Sequence, residues 1–177
     1  MLHMNLRYSL PSSSEKRAFL VTSAAPSSGK TTVAANLAVI AALAGQRVVL
    51  VDADMRRPRL QKVFGRNTSR GLSSLLVGEV DDLDAVLQPT DTEGLSLLPC
   101  GTVPPNPAEL LDSARMGEVL DALRQRFDLL ILDTPPVLAV TDASLLSRST
   151  SGAILVIEYG RTTTDAAKAA VETLQRV

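Results

Sequence analysis

Four short stretches of the chain are apolar at every position: residues 18–21, 48–51, 129–132 and 153–157. A strand with one wet face alternates apolar and polar residues, so continuous runs of this length predict strands covered on both faces, as in a parallel sheet. A fifth run, 95–98, is broken by Ser96 and predicts a less covered strand. Between the runs lie segments of helical length. One spans 29–44, with Val33, Leu37 and Ile40 as its inward stripe and Gly45 as its stop; others span 107–126, 141–146 and 162–177. Strands alternating with helices in this way specify a doubly wound α/β sheet with helices on both faces.

The 177 residues suffice for one compact unit with a sizeable core. With no Trp and three Phe, that core is expected to be Leu, Val, Ile and Ala. Residues 1–16 are polar and Ser-rich and read as an arm or linker, leaving 17–177 as the folded unit. The segment 65–94 carries turn residues and an acidic stretch, 79–84, expected to be a solvated helix end. The formal charge of −1, with both signs interspersed, gives no electrostatic footprint for nucleic acid. No apolar run approaches the roughly 18–20 residues that span a bilayer. No signal-like apolar region follows Met1. The single cysteine, Cys100, cannot form an internal disulfide, which fits a reducing cytoplasm, and reads as an unreactive thiol in a Leu-Pro-Cys-Gly turn. His3, the sole histidine, lies on the arm and is assigned no catalytic or zinc role.

The chemistry concentrates where strands end. Ala24-Ala25-Pro26-Ser27-Ser28-Gly29-Lys30-Thr31-Thr32 joins the first strand to the first helix. A phosphate-binding loop needs a tight turn whose N–H groups converge on an anion, followed by a helix N-terminus. Pro26, Ser27, Ser28, Gly29, Lys30, Thr31 and Thr32 are therefore the candidate nucleotide contacts. Lys30 is expected at the outer phosphates and the Thr31 hydroxyl at Mg2+. The usual first glycine of such a loop is Ala24 here.

The second run closes on Asp52-Ala53-Asp54, and the third on Asp133-Thr134-Pro135-Pro136. In an open parallel sheet these carboxyl ends face one crevice, the one the loop also faces. Asp52 and Asp54, two apart on extended chain, are expected to point to the same side and act together on a metal or a proton, or else to cap a helix. Asp133 suits a water-mediated ligand of Mg2+. Three acids and a lysine around ATP or ADP and Mg2+ make phosphoryl transfer the natural reaction class. Spacing alone leaves the acceptor open: water gives an ATPase or switch, a hydroxyl gives a kinase.

These segments resemble the cytoplasmic domain of bacterial tyrosine kinases, which partner or form part of polysaccharide chain-length regulators. The resemblance runs through Val21-Thr22-Ser23-Ala24-Ala25-Pro26, Gly29-Lys30-Thr31 and Asp52-Ala53-Asp54-Met55-Arg56-Arg57-Pro58. It continues through Gly71-Leu72-Ser73, Leu98-Pro99-Cys100-Gly101, Pro104-Pro105-Asn106-Pro107-Ala108-Glu109-Leu110-Leu111, Asp133-Thr134-Pro135-Pro136, Thr141-Asp142-Ala143 and Gly160-Arg161-Thr162-Thr163. It covers nearly the whole chain and implies an ATP- and Mg2+-dependent tyrosine autokinase acting in trans on neighbouring subunits. Its implied setting is the inner face of the bacterial membrane, held by a fused or separate transmembrane chain-length regulator of capsule or exopolysaccharide export. Lys30, Asp52, Asp54 and Asp133 become the implied catalytic set, with Asp52 as base for the tyrosine hydroxyl. Thr31, Asp54 and Asp133 become the implied metal side.

Septum-site and chromosome-partitioning ATPases share the fold and the acids. They usually carry a second lysine five residues before the loop lysine, where this chain has Ala25. Two family features are incomplete. The tyrosine-rich tail is absent, the only tyrosines being Tyr8 and Tyr159, and of the N-terminal Glu-Arg-Arg oligomerisation motif only Arg7 has a match. Tyr159 is expected to be structural. Asn106-Pro107 is expected to open a helix as cap and first-turn proline, and Arg161 to line the adenine pocket. Thr162 is expected either there or as a helix cap. Arg56 and Arg57 read either as steering groups for an acidic tail or neighbouring subunit, or as solvated surface residues.

Overall fold

The computed structural model describes residues 17–66 and 69–176. The arm, with His3, Arg7 and Tyr8, lies outside them. Among the described residues, six strands form one sheet: β1 (Arg17–Ser23), β2 (Val48–Asp52), β3 (Gln88–Pro89), β4 (Leu95–Leu98), β5 (Leu129–Asp133) and β6 (Gly152–Val156). They are ordered β3-β4-β2-β5-β1-β6, and only the short β3 is antiparallel to its neighbour. Its helices are α1 (Lys30–Leu43), α2 (Leu60–Val63), α3 (Leu72–Leu76), α4 (Pro107–Leu111), α5 (Ala114–Arg126), α6 (Asp142–Ser147) and α7 (Thr164–Gln175). The doubly wound α/β class read from the sequence is the fold observed.

Successive side chains of a strand point to opposite faces, and the core divides accordingly. On one face Ala18, Leu20, Val49, Val51, Leu130 and Leu132 pack with Leu72, Leu75, Met116, Leu120 and Leu123 from α3 and α5. On the other, Phe19, Val21, Val48, Leu50 and Ile131 pack with α1 and Leu60. The core is aliphatic, as the composition requires.

Several local expectations are corrected. The buried stripe of α1 is Ala34, Leu37, Ala38 and Ala41, while Ile40 is half exposed and Val33 only partly covered. The helix is apolar almost all round, so its periodicity does not single out a face, and alanines allow the closest approach to the sheet. Its stop is as expected: the chain leaves through Gly45 at φ 86, whose N–H donates to the Ala42 carbonyl. The helix expected over 107–126 is two helices, broken at Asp112-Ser113, because the Ser113 hydroxyl accepts from the Met116 N–H and starts α5 anew. Pro107 does open α4, but Asn106 does not cap it; its amide donates instead to Glu109, 2.6 Å away. The cap of α7 is Thr163, whose hydroxyl accepts from Ala166, while Thr162 accepts from the Glu158 N–H. β6 is not covered on both faces: it forms a sheet edge paired only with β1, and Ala153 is exposed. Tyr159, just beyond it, is fully exposed and packs on nothing, contrary to its expected structural role.

The acidic stretch 79–84 is not merely solvated. Asp82 caps a single 3-10 turn (Leu83–Ala85), and Asp81 and Asp84 pair with Arg115 and Arg126 of α5. Segment 65–94 also contains α3 and β3, too short to leave a periodic signature. Gly71 precedes α3 where the chain presses on the Leu-Pro-Cys-Gly turn; a Cβ there would lie 2.2 Å from the Pro99 carbonyl oxygen.

Candidate functional site

The phosphate loop is shaped by its own serines. The hydroxyls of Ser23 and Ser28 both donate to the Ala25 carbonyl, at 2.7 and 2.9 Å, pinning the turn from inside. Ser27 and Gly29 adopt left-handed conformations, φ 64 and 82. Alternation of this kind turns successive N–H groups toward one anion. A serine held at positive φ is strained by roughly 1 kcal/mol or more, the kind of strain that clusters at ligand sites. Ala24 is buried at negative φ, so that position makes no demand for glycine. Gly29 is the N-cap of α1 with no side-chain partner for the first-turn N–H groups. Those donors are left for a ligand.

Above this loop opens a cleft of about 560 Å3 lined by Pro26, Ser27, Gly29, Lys30, Thr31, Thr32, Asp54, Arg56, Arg57, Arg59, Val63, Pro135, Pro136, Ala139 and Val140. Most of the residues read as nucleotide contacts therefore share one surface. Ser28 is turned inward, and Arg161 stands outside the cleft, its guanidinium 3.1 Å from Glu158. Lys30 reaches across to Asp54, Nζ to carboxylate 3.3 Å, with both side chains nearly buried.

Asp52 and Asp54 meet the cleft differently: Asp54 is in its lining and Asp52 is not. β2 ends at Asp52 and the chain turns at once, so strand alternation does not extend to Asp54. Asp54 lines the cleft and accepts from the Arg57 N–H. Asp52 is fully buried beneath it, its Oδ2 accepting from the N–H groups of Arg59 and Leu60 at the start of α2, while Oδ1 has no partner. Of the two readings of this acid pair, the helix cap is seen at Asp52 Oδ2, while Oδ1 is left without a partner.

Asp133 ends β5 directly beside Asp52 in register. Neither of its oxygens has a hydrogen-bond partner of good geometry, although the Thr31 hydroxyl and the Lys30 ammonium are near enough to favour its charged form. Burial, then the charge of Asp133, pushes the Asp52 carboxyl up to about 7 against its two backbone donors. Burial likewise lifts Asp133 to about 6, with Thr31 and Lys30 restraining the rise. The Cys100 thiol, buried near the same acids, is pushed up to about 12 and is inert as a nucleophile, as the sequence suggested. The exit from β5 is fixed by Thr134, which bonds the Val21 carbonyl, and by the Thr22 hydroxyl on the Pro135 carbonyl.

Orphaned carboxylate oxygens under an anion-binding loop fit a cation carried in with a polyanion. Among the described residues no three acidic, histidine or cysteine side chains converge as a cage for an ion. A Mg2+ ion keeps several waters and takes few protein ligands. Thr31, Asp54 and Asp133 are the groups available to it. Arg56 and Arg57, read from the sequence either as steering groups or as surface residues, line the cleft wall; what sequence reading missed is Arg59 beside them and the carboxylate of Asp142, fully buried and held bidentately by Arg56 at 2.9 and 3.0 Å. The Arg-Arg-Pro-Arg run was visible, but nothing in it told inward from outward.

A family model described as an AAA domain matches residues 24–177. The tyrosine-protein kinase YwqD of Bacillus subtilis is 40% identical over 160 residues, 90% of this chain and 67% of its own length. The tyrosine-protein kinase Etk of Escherichia coli is 38% identical over 162 residues, 92% of this chain, but the match spans only 22% of Etk. The solved kinase domain of Etk superposes with a TM-score of 0.94 at 35% identity, covering 99% of this chain and 68% of that one. The septum site-determining protein MinD of Pyrococcus horikoshii, solved with Mg-ADP, gives a TM-score of 0.68 at 30% identity, covering 79% of this chain and 57% of that one. On sequence and on fold, the chain belongs to the family of bacterial tyrosine-protein kinases.

Proposed function

We propose that residues 17–177 are the nucleotide-binding unit of an ATP- and Mg2+-dependent protein-tyrosine autokinase. The observation that carries this reading is the convergence of Lys30, Thr31 and Asp54 on one cleft, with Asp52 and Asp133 buried beneath it. ATP supplies the phosphoryl group, and Mg2+ neutralises phosphate charge. Lys30 exchanges Asp54 for the outer phosphates. Thr31, Asp54 and Asp133 would hold the hydrated cation, Asp133 through water. Asp52, one oxygen anchored by two N–H groups and the other free, takes the phenolic proton. As it does so, the bond from the tyrosine oxygen to phosphorus forms and the bond from phosphorus to the ADP oxygen breaks. An elevated carboxyl is suited to this, because a base works best with a pKa near the operating pH.

In the cell the unit acts at the inner face of the membrane with a transmembrane chain-length regulator, fused or separate, on neighbouring subunits, and controls capsule or exopolysaccharide polymerisation and export. This setting rests on the family. No helix among the described residues is long and apolar enough to cross a membrane. A second reading, a partitioning-type ATPase switch without kinase activity, is favoured by the likeness to MinD and opposed by Ala25 at the second-lysine position. Incubation with ATP, Mg2+ and a tyrosine peptide separates them. Phosphotyrosine that disappears in Lys30→Met supports the kinase; ATP hydrolysis without phosphotyrosine supports the switch.

A further inference from the structure

The cleft carries more positive charge than phosphate binding uses. Lys30 and the loop N–H groups face the anion site. Arg56 is committed to Asp142. Arg57 and Arg59 also line the cleft, and Lys62 continues their row on an adjoining shelf with Pro58 and Val63. All three are exposed, and their side chains form no ion pair or hydrogen bond among the described residues.

Their placement is not loose. The Arg57 N–H donates to Asp54 at 3.0 Å and the Arg59 N–H to Asp52 at 3.1 Å, so the backbone of this basic segment is tied to the two acids of the site. Pro135, Pro136, Ala139 and Val140 give the same cleft an apolar lining, and Val63, half exposed, lies beside the basic residues. The cleft thus has an anion-binding floor, an apolar lining for a flat ring, and an unpaired basic rim. Free guanidinium groups at a rim recognise carboxylates and give selectivity and faster encounter.

We propose that Arg57 and Arg59, extended by Lys62, form an acceptor-peptide subsite that selects tyrosines flanked by acidic residues. The proposal rests on the kinase reading, which names the tyrosine. Binding and transfer are therefore measured separately. In the first experiment the full chain, with ADP and Mg2+, is titrated into a fluorescein-labelled decapeptide with glutamates on both sides of one tyrosine, and into its twin with glutamines. Fluorescence anisotropy is expected to show the glutamate peptide binding about tenfold tighter at low salt, with the preference shrinking as salt rises. The double variant R57Q/R59Q loses the preference and R57K/R59K retains most of it.

Equal binding of the two peptides, a preference that survives R57Q/R59Q, or peptide binding abolished by ADP would each overturn the subsite. The second experiment adds ATP and reads phosphotyrosine. A chain that discriminates the peptides yet transfers no phosphate keeps the subsite for acidic peptides and overturns the kinase reading. Equal transfer to both peptides at subsaturating concentration overturns the subsite alone.

Discussion

Asp52 and Asp133 end neighbouring parallel strands as direct partners in register, and three of their four carboxylate oxygens have no hydrogen-bond partner. Burying unpaired carboxylates favours their protonated forms, which is why both are raised, to about 7 and about 6. The sign for stability follows. Between the unfolded value near 4 and these raised values, the folded protein binds more protons than the unfolded chain, so stability falls as pH rises. Without nucleotide, the urea midpoint is expected to drop from pH 5 to pH 8, by about 4 kcal/mol in stability if both groups contribute in full. Asp133→Asn should flatten that slope. A midpoint that rises over this range contradicts the assignment.

The same elevation has a kinetic consequence. The pH dependence of peptide phosphorylation should show an acid limb at or below about 7, since a bound cation favours the ionised form of Asp52. Asp52→Asn is expected to lower kcat by at least about 100-fold while nucleotide affinity changes little. A variant that retains half of the wild-type rate would remove Asp52 from the role of base.

Arg56 and Arg57 are adjacent in sequence and opposite in consequence. Arg56→Ala strands the fully buried carboxylate of Asp142 and is expected to cost roughly 2 kcal/mol. Arg57→Ala removes an exposed side chain without a partner and should stay within about 0.5 kcal/mol. Chemical denaturation of the two variants side by side reads the difference.

Two glycines provide a test of the fold itself. Gly71→Ala would drive a Cβ into the backbone of Pro99 and Gly101 and should cost at least about 2 kcal/mol. Gly117 lies inside α5 with open space around it, so Gly117→Ala should raise stability by about 0.5–1 kcal/mol. Comparable losses at both positions would contradict the packing described for the turn at 99–101.

The sequence carried the sheet because central strands of a parallel sheet leave continuous apolar runs, and β1, β2 and β5 lie where those runs do. It misjudged β6, whose apolar residues look the same at an edge as at the centre, and it did not register α3 or β3. Within the site, the residue types at the strand ends were readable from chemistry alone. That Asp54 lines the cleft while Asp52 is buried against α2 was not, because it depends on where β2 stops and which N–H groups of α2 turn back onto it. The bond between Arg56 and Asp142, 86 positions apart, is a tertiary contact that local pattern does not encode.

The central claim is that this cleft moves phosphate from ATP to a tyrosine. The most direct measurement incubates the full chain with γ-labelled ATP, Mg2+ and a tyrosine peptide, follows label transfer, and locates it by phosphotyrosine detection. The account predicts labelled phosphotyrosine in wild type, none in Lys30→Met, and none when the peptide tyrosine is replaced by phenylalanine. Label released only as inorganic phosphate, with the peptide unmodified, would contradict it.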